Sequence, residues 1–118
     1  MLSNFTNSLQ LLEVAQKEQL YKKLVLQLKK DFELANVPIK LATDISPDEL
    51  KTLLHEKVYV LIVEKFDQYL NLLYVVDIPE SEVRKIAPAD AVDISAEVSF
   101  LLLKREWQKV WFKNKYSS

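Results

Sequence analysis

The sequence predicts an all-α protein, an irregular or antiparallel bundle of three long helices and one short helix. Its 118 residues contain no glycine, which removes most tight hairpin turns and every glycine-rich phosphate loop. Apolar residues recur at steps of three and four along most of the chain. Prolines and polar segments separate these periodic stretches. We therefore expect a single helical domain over residues 1–118, with helices near 8–36, 47–76, 79–86 and 94–114.

The first helix is indicated by an apolar stripe. A leucine or phenylalanine stands at every fourth position over 20–32, as on the buried side of a helix. Val37 precedes Pro38, and a residue before proline is displaced from the α region, so the helix should end there. The pattern leaves open whether the helix is interrupted near residues 15–18.

The second helix has a well-defined start. Ser46 is a favoured N-cap residue, Pro47 is favoured at the first helical position, and Glu49 can complete a capping box by reaching back to the Ser46 amide. Apolar residues then continue at helical spacing as far as Val76. Residues 57–63 are rich in β-branched and aromatic side chains, so a buried strand there stays open beside the helix.

Two further helices follow a proline-containing bend. Acidic residues in the first turn favour a short helix over 79–86, which Pro88 should end. Asp93 or Ser95 can cap the last helix. That helix is apolar nearly all round its circumference over 98–103, so we expect this part to lie at the centre of the core.

Composition excludes several kinds of chemistry. The chain has no cysteine, so disulfides, thiolate metal sites and cysteine nucleophiles are absent. Its one histidine, His55, has no Glu-x-x-His motif around it, and we expect it on the polar side of the second helix. No serine stands in a nucleophile-elbow motif. We therefore predict no catalytic residue, no cofactor and no metal site, and a protein that is not an enzyme. The paired carboxylates are expected in solvent: Asp48 with Glu49, Glu64 with Asp67, and Glu80 with Glu82.

The sequence also favours a cytoplasmic location. The N-terminus has neither a basic start nor a long apolar core, unlike a signal peptide. The longest clear apolar run, 58–63, is far shorter than the roughly 20 residues that span a bilayer. We expect no membrane partner.

Charge is unevenly distributed although the net charge is only -1. Residues 1–43 carry six basic and four acidic side chains, residues 44–97 five basic and twelve acidic, and residues 98–118 five basic and one acidic. The segment charges are therefore +2, -7 and +4. A basic helix packed beside an acidic one would explain this pattern, and so would a positive patch that meets a partner.

The last helix contains the candidate interaction surface. Basic and aromatic residues alternate there, and tryptophan and arginine are enriched at binding hot spots. The simpler explanation is that the tryptophans close the core while the lysines face water. Stacking and phosphate contacts with nucleic acid are less favoured, because the pI is near 5.9. The predicted surface consists of Lys104, Arg105, Trp107, Lys109, Trp111, Phe112 and Lys113.

Two segments, 69–80 and 105–109, resemble a family of small uncharacterised all-helical bacterial proteins, a domain of unknown function. They share a Leu-Leu-Tyr-x-x-Asp-x-x-Glu bend and an Arg-Glu-x-Gln-Lys helix with this family. The resemblance covers about half of the chain and implies an all-helical cytoplasmic protein, but no functional residues. We therefore expect a non-catalytic protein that acts by protein association, with a homodimer as the default form. The alternative is a small nucleic-acid-associated regulator that uses the last helix.

Overall fold

The computed structural model describes residues 5–87 and 89–116, and this part of the chain contains no β-strand. The prediction of an all-α fold is confirmed there, and residues 57–63 are helical. Pro88, expected to end the short helix, lies outside the described residues. The helices are α1 (Ser8–Lys17), α2 (Tyr21–Leu34), α3 (Pro47–Glu64), α4 (Phe66–Val76), α5 (Glu80–Arg84) and α6 (Ala91–Tyr116).

Two of the three long helices predicted from the sequence are each divided in two. The helix expected over 8–36 forms α1 and α2, and the helix expected over 47–76 forms α3 and α4. The short helix α5 has fewer residues than the predicted 79–86, whereas α6 extends beyond the predicted 94–114 at both ends. The expectation that Asp93 or Ser95 caps the last helix is wrong, because both lie inside α6. Asp90 caps it, since Asp90 Oδ1 accepts a hydrogen bond from the Asp93 amide at 2.9 Å.

Three of these helix ends, those of α1, α2 and α4, share one turn geometry. In each, a left-handed residue follows the helix, and the amide of the next, buried apolar residue donates to the carbonyl five positions earlier. Glycine usually occupies the left-handed position, because a Cβ atom is strained there. This glycine-free chain therefore reverses direction with residues that bear side chains. The left-handed residues are Gln19 (φ 59°), Asn36 (φ 59°) and Asp77 (φ 69°), followed by Leu20, Val37 and Ile78.

The break between α3 and α4 is of a different kind. Lys65 has φ -139° and ψ 60°, outside the helical region, and no glycine or proline marks it in the sequence. The single non-helical residue changes which side of the following turns faces the core. Tyr69, Leu72 and Val76 are buried on α4, whereas Phe66 and Leu70 are exposed.

Helix α6 is the central element, because α1, α2, α3 and α4 all pack against it. Val98, Leu102 and Leu103 are buried, as expected, although Phe100 and Leu101 are only half-buried. Trp107 extends this core toward the C-terminal half of α6. Burial of apolar side chains from five helices against each other supplies the main stabilisation of the fold.

The start of α3 is fixed as predicted. The Glu49 amide donates to Ser46 Oγ at 3.2 Å, so Ser46 is the N-cap. The return hydrogen bond differs from a standard capping box, since the Ser46 hydroxyl donates to Glu49 Oε1 at 2.9 Å. The Tyr21 hydroxyl donates to the Ile45 carbonyl at 2.6 Å and ties the beginning of α2 to this turn.

Candidate functional site

The seven residues predicted to form an interaction surface lie on α6, but they do not form one surface. Phe112 and Lys113 are exposed, Lys104, Arg105, Lys109 and Trp111 are half-buried, and Trp107 is only 1 % exposed. Including Trp107 was wrong, because helices of the same chain cover its ring. Lys109 does not belong to an interaction surface either, because its ammonium group contacts carboxyl groups inside the protein.

Lys109 belongs to a buried triad between α2 and α6. Its Nζ donates to Asp31 Oδ2 at 2.7 Å and lies 3.0 Å from Glu106 Oε1. Gln27 Nε2 donates to the other oxygen, Asp31 Oδ1, at 3.2 Å. Asp31 is 4 % exposed and Glu106 is fully buried. Two carboxyl groups and one cation therefore share a site from which water is largely excluded.

The triad is charge-balanced if Glu106 is protonated. As carboxylate oxygens, both Glu106 Oε atoms would be buried without a well-oriented hydrogen-bond donor. Burial, and after it the interaction with Asp31, raises the pKa of Glu106 to about 9. The positive charge of Lys109 opposes this shift. Burial also acts to raise the pKa of Asp31, but hydrogen bonds from Glu106 and Lys109 outweigh it and leave that pKa lowered. The protonated Glu106 carboxyl is thus neutral and lies beside the Lys109–Asp31 ion pair.

Asp31 and Glu106 were not predicted as site residues, and the paired carboxylates of the sequence were expected in solvent. A signal was present in the spacing. Asp31 lies three residues after Leu28 and directly before Phe32, inside the apolar stripe of α2, and Glu106 lies one turn after Leu102. An acidic residue within an apolar stripe indicates a buried, partnered carboxyl.

Arg105 joins α6 to the bend that follows α4. Its Nη2 donates to Asp77 Oδ2 at 3.0 Å, and its Nε donates to the Asp77 carbonyl at 3.1 Å. Asp77 is one of the left-handed residues described above, so Arg105 holds both the backbone and the side chain of the turn. These contacts bring together the two segments on which the family resemblance is based.

The C-terminal turns of α6 carry an exposed aromatic cluster. The rings of Trp111 and Phe112 meet edge to face at 5.2 Å, and those of Phe112 and Tyr116 stack at 6.0 Å. Lys115 Nζ lies 4.8 Å above the Trp111 ring, and Lys113 is also exposed. We name these five residues the C-terminal aromatic patch. Phe112, Lys113 and Trp111 were predicted to lie on an interaction surface, whereas Tyr116 and Lys115 were not.

A second exposed surface was not predicted. The outward side of α3 and α4 is apolar over several turns, although large apolar side chains normally face the core. Phe66 and Leu70 continue the apolar spacing of the predicted 47–76 helix, which would place them toward the core if that helix ran unbroken through Lys65. We name this surface the α3–α4 face; it consists of Tyr59, Val60, Val63, Phe66, Leu70 and Tyr74.

His55 lies beside this face in a shallow groove. One of its ring nitrogens, Nε2, is 3.0 Å from the Val92 carbonyl, and the groove is lined by apolar atoms of Tyr59, Val60 and exposed Val92. Contrary to the expectation of a purely polar surface, His55 is half-buried against the start of α6. Among the described residues, no three His, Cys, Asp or Glu side chains are grouped as ligands for a metal ion.

A more polar cavity lies between the α4–α5 bend and α6. It has a volume of about 590 Å³ and is open to solvent. Arg105 lines it but is already bound to Asp77, and Lys104 Nζ lies 4.7 Å above the Phe100 ring. The buried Glu106 does not line this cavity. The one strongly shifted carboxyl among the described residues is therefore separate from it.

Comparison with known proteins yields no match: no protein-family model, curated protein or solved structure is similar to this chain. Its resemblance to the bacterial helical family thus stays a prediction. Within residues 5–87 and 89–116, no helix is both long enough and apolar enough to cross a bilayer.

Proposed function

We propose that this chain is a non-catalytic helical protein that acts by associating with protein, first of all with further copies of itself. The observation that carries the proposal is the α3–α4 face. A helix with apolar residues on both its inner and its outer side is typical of an element that is covered on both sides. One side of α3 and α4 packs in the core of the chain, and the other is free for a partner.

The size of the face supports this proposal. Tyr59, Phe66 and Tyr74 are 37 %, 53 % and 83 % exposed. If a full aromatic side chain presents about 200 Å², these three rings alone expose about 350 Å². The aliphatic members, Val60, Val63 and Leu70, add to that area. The largest apolar patch on a monomeric protein usually measures about 300–600 Å² and is often functional, so a face of this size is a candidate interaction site.

Catalysis and nucleic-acid binding have weaker support than protein association. Glu106, whose pKa suits acid–base chemistry, is fully buried and out of reach of a substrate. Nucleic-acid binding through α6 remains the alternative, but it loses Lys109 to the triad and Arg105 to Asp77. A cytoplasmic location and membership of the bacterial family accompany the proposal as predictions.

The proposal is tested by removing apolar area from the α3–α4 face without touching the core. Tyr74→Ser replaces a highly exposed ring, so it should leave the far-UV circular dichroism spectrum unchanged. We expect size-exclusion chromatography with light scattering to give a mean mass above 13.8 kDa for the unmodified chain at high micromolar concentration. Tyr74→Ser should lower that mass.

Leu26→Ser is the matched control, because Leu26 is an exposed apolar residue of similar kind on the outer side of α2. It should associate like the unmodified chain. Equal masses for the unmodified chain and Tyr74→Ser would contradict a role for this face, and a monomeric unmodified chain would contradict self-association itself.

A further inference from the structure

We infer that copies of this chain associate head to tail, with the C-terminal aromatic patch of one copy docked on the α3–α4 face of the next. This inference rests on the proposed self-association and adds the identity of the second surface. It follows from the positions of the two surfaces, from their charges, and from features that stability within one chain does not explain.

The aromatic patch and the Tyr59 end of the α3–α4 face lie at opposite ends of α6. His55 borders the α3–α4 face, and its Nε2 lies 3.0 Å from the carbonyl of Val92, at the start of α6. Tyr59, a member of the face, lines the same groove as Val92. Phe112 lies 20 residues further along the same helix, which corresponds to about 30 Å at 1.5 Å per residue. The longest dimension of the protein is 40 Å. The aromatic patch therefore does not cover the α3–α4 face of its own chain. The Tyr59 end is too far away, and Tyr74, although it precedes the Asp77 turn bound by Arg105, is 83 % exposed. Both ends of the face stay open to another copy.

The charges around the two surfaces are complementary. Exposed acidic residues border the α3–α4 face, and Lys65 is the exposed basic exception. Exposed lysines from α2 and α6 surround the aromatic patch; Lys23 Nζ donates to Asn114 Oδ1 at 3.2 Å and so places the start of α2 there. Opposite charges on two surfaces favour their encounter and disfavour contact of either surface with itself. The acidic residues are Glu56, Glu64 and Asp67, and the lysines are Lys22, Lys23, Lys113 and Lys115.

Helix stability does not account for several of these charges. Glu64 is the last residue of α3, and Lys22 and Lys23 lie in the first turn of α2. Glu64 thus lies at the negative end of a helix dipole, and Lys22 and Lys23 lie at a positive end. Such a placement costs roughly a few tenths of a kcal/mol or more in an isolated helix. These side chains are exposed and form no ion pair among the described contacts, apart from the bond of Lys23 to Asn114. Their placement is explained if they face the opposite charges of a neighbouring copy.

Head-to-tail contact has a specific consequence. Because the two interacting surfaces differ, an open chain of copies always has one unused surface at each end, so it either adds further copies or closes into a ring. A two-fold dimer through the α3–α4 face alone would stop at two copies. The two arrangements respond differently to substitutions.

The test uses the same substitution on each surface. Phe66 and Phe112 are 53 % and 43 % exposed, so Phe66→Ser and Phe112→Ser remove similar rings from the α3–α4 face and from the patch. We expect each variant alone to associate about tenfold or more weakly than the unmodified chain in sedimentation velocity. An equimolar mixture should recover association, because each variant supplies the surface that the other lacks. The mixture should stop at twice the 13.8 kDa monomer mass. If either variant does not fold by circular dichroism, Leu70→Ser and Tyr116→Ser replace it on the same surfaces.

Different results would overturn the inference in distinguishable ways. If one variant still associates like the unmodified chain and mixing adds nothing, the contact is two-fold and self-association stands without the head-to-tail arrangement. If the unmodified chain does not associate, both proposals fail. Raising the salt from about 0.05 to about 0.5 M should weaken association several-fold, because screening removes the charge complementarity; stronger association in salt would contradict it.

Discussion

The buried triad predicts an unusual dependence of stability on pH, which Glu106→Gln should remove. In the folded protein Glu106 keeps its proton up to a pKa of about 9, whereas the ordinary value is 4.5. Between these values the folded state holds one proton more than the unfolded state, so the free energy of unfolding falls as the pH rises. One such group changes stability by about 1.4 kcal/mol per pH unit.

The magnitude is large compared with the stability of a domain of this size. From pH 5 to pH 8 the loss is on the order of 4 kcal/mol, against a total of about 5–15 kcal/mol. Full burial of Glu106 means that little solvent screening reduces this figure. The lowered pKa of Asp31 acts in the opposite sense, but only near and below the ordinary pKa of an aspartate, 3.8. Glu106 therefore dominates the triad's contribution above pH 5.

Glutamine at position 106 retains an N–H donor for Asp31 and an oxygen near Lys109, but it does not titrate. We expect the two proteins to have similar stability near pH 5 and Glu106→Gln to be increasingly the more stable as the pH rises to 8. Urea unfolding, followed by circular dichroism, measures both at each pH. Glu97→Gln, an exposed position on the same helix, should follow the unmodified chain. A difference between Glu106→Gln and the unmodified chain that stays constant from pH 5 to pH 8 would refute the protonated triad.

Four further substitutions test the fold. Gln19→Gly should raise the free energy of unfolding by roughly 0.5–1 kcal/mol, because glycine removes left-handed strain at φ 59°; no gain in urea unfolding would show that the turn is unstrained. Arg105→Ala should lower the free energy of unfolding by about 1 kcal/mol, because it releases the Asp77 turn. The loss is modest because solvent screens this partly exposed ion pair. An unchanged urea midpoint would contradict this prediction. Trp107→Ala should lower the free energy of unfolding by about 3–5 kcal/mol, because it leaves a cavity in the core. Trp111→Ala should lower it less, because Trp111 is only half-buried. Equal losses of stability on thermal unfolding would contradict the placement of the two rings.

The helical class and the start of α3 could be predicted from the sequence, because they depend on local signals. Apolar spacing and the Ser46–Pro47 cap act over a few residues, and the structure retains both. The interruption near residues 15–18 was left open, because no local signal in the sequence decides it. Its position follows from Leu20, whose burial ends α1 in a left-handed turn at Gln19. Tertiary packing, rather than a glycine or proline, decides that position.

The surfaces could be predicted only in part. Phe112 and Lys113 are exposed as expected, but the sequence does not show that α2 lies close enough for Asp31 to bind Lys109. A tryptophan near a helix end fits a core and a binding site equally well, so Trp107 could not be assigned from spacing. The α3–α4 face was missed because one non-helical residue, Lys65, shifts the phase of α4 without a sequence signal.

Sedimentation equilibrium of the unmodified chain, over concentrations from low to several hundred micromolar, tests self-association most directly. The proposal predicts a mean mass that starts near 13.8 kDa and rises steadily with concentration. A mass that stays at 13.8 kDa at every concentration would leave the apolar side of α3 and α4 without the partner that we assign to it.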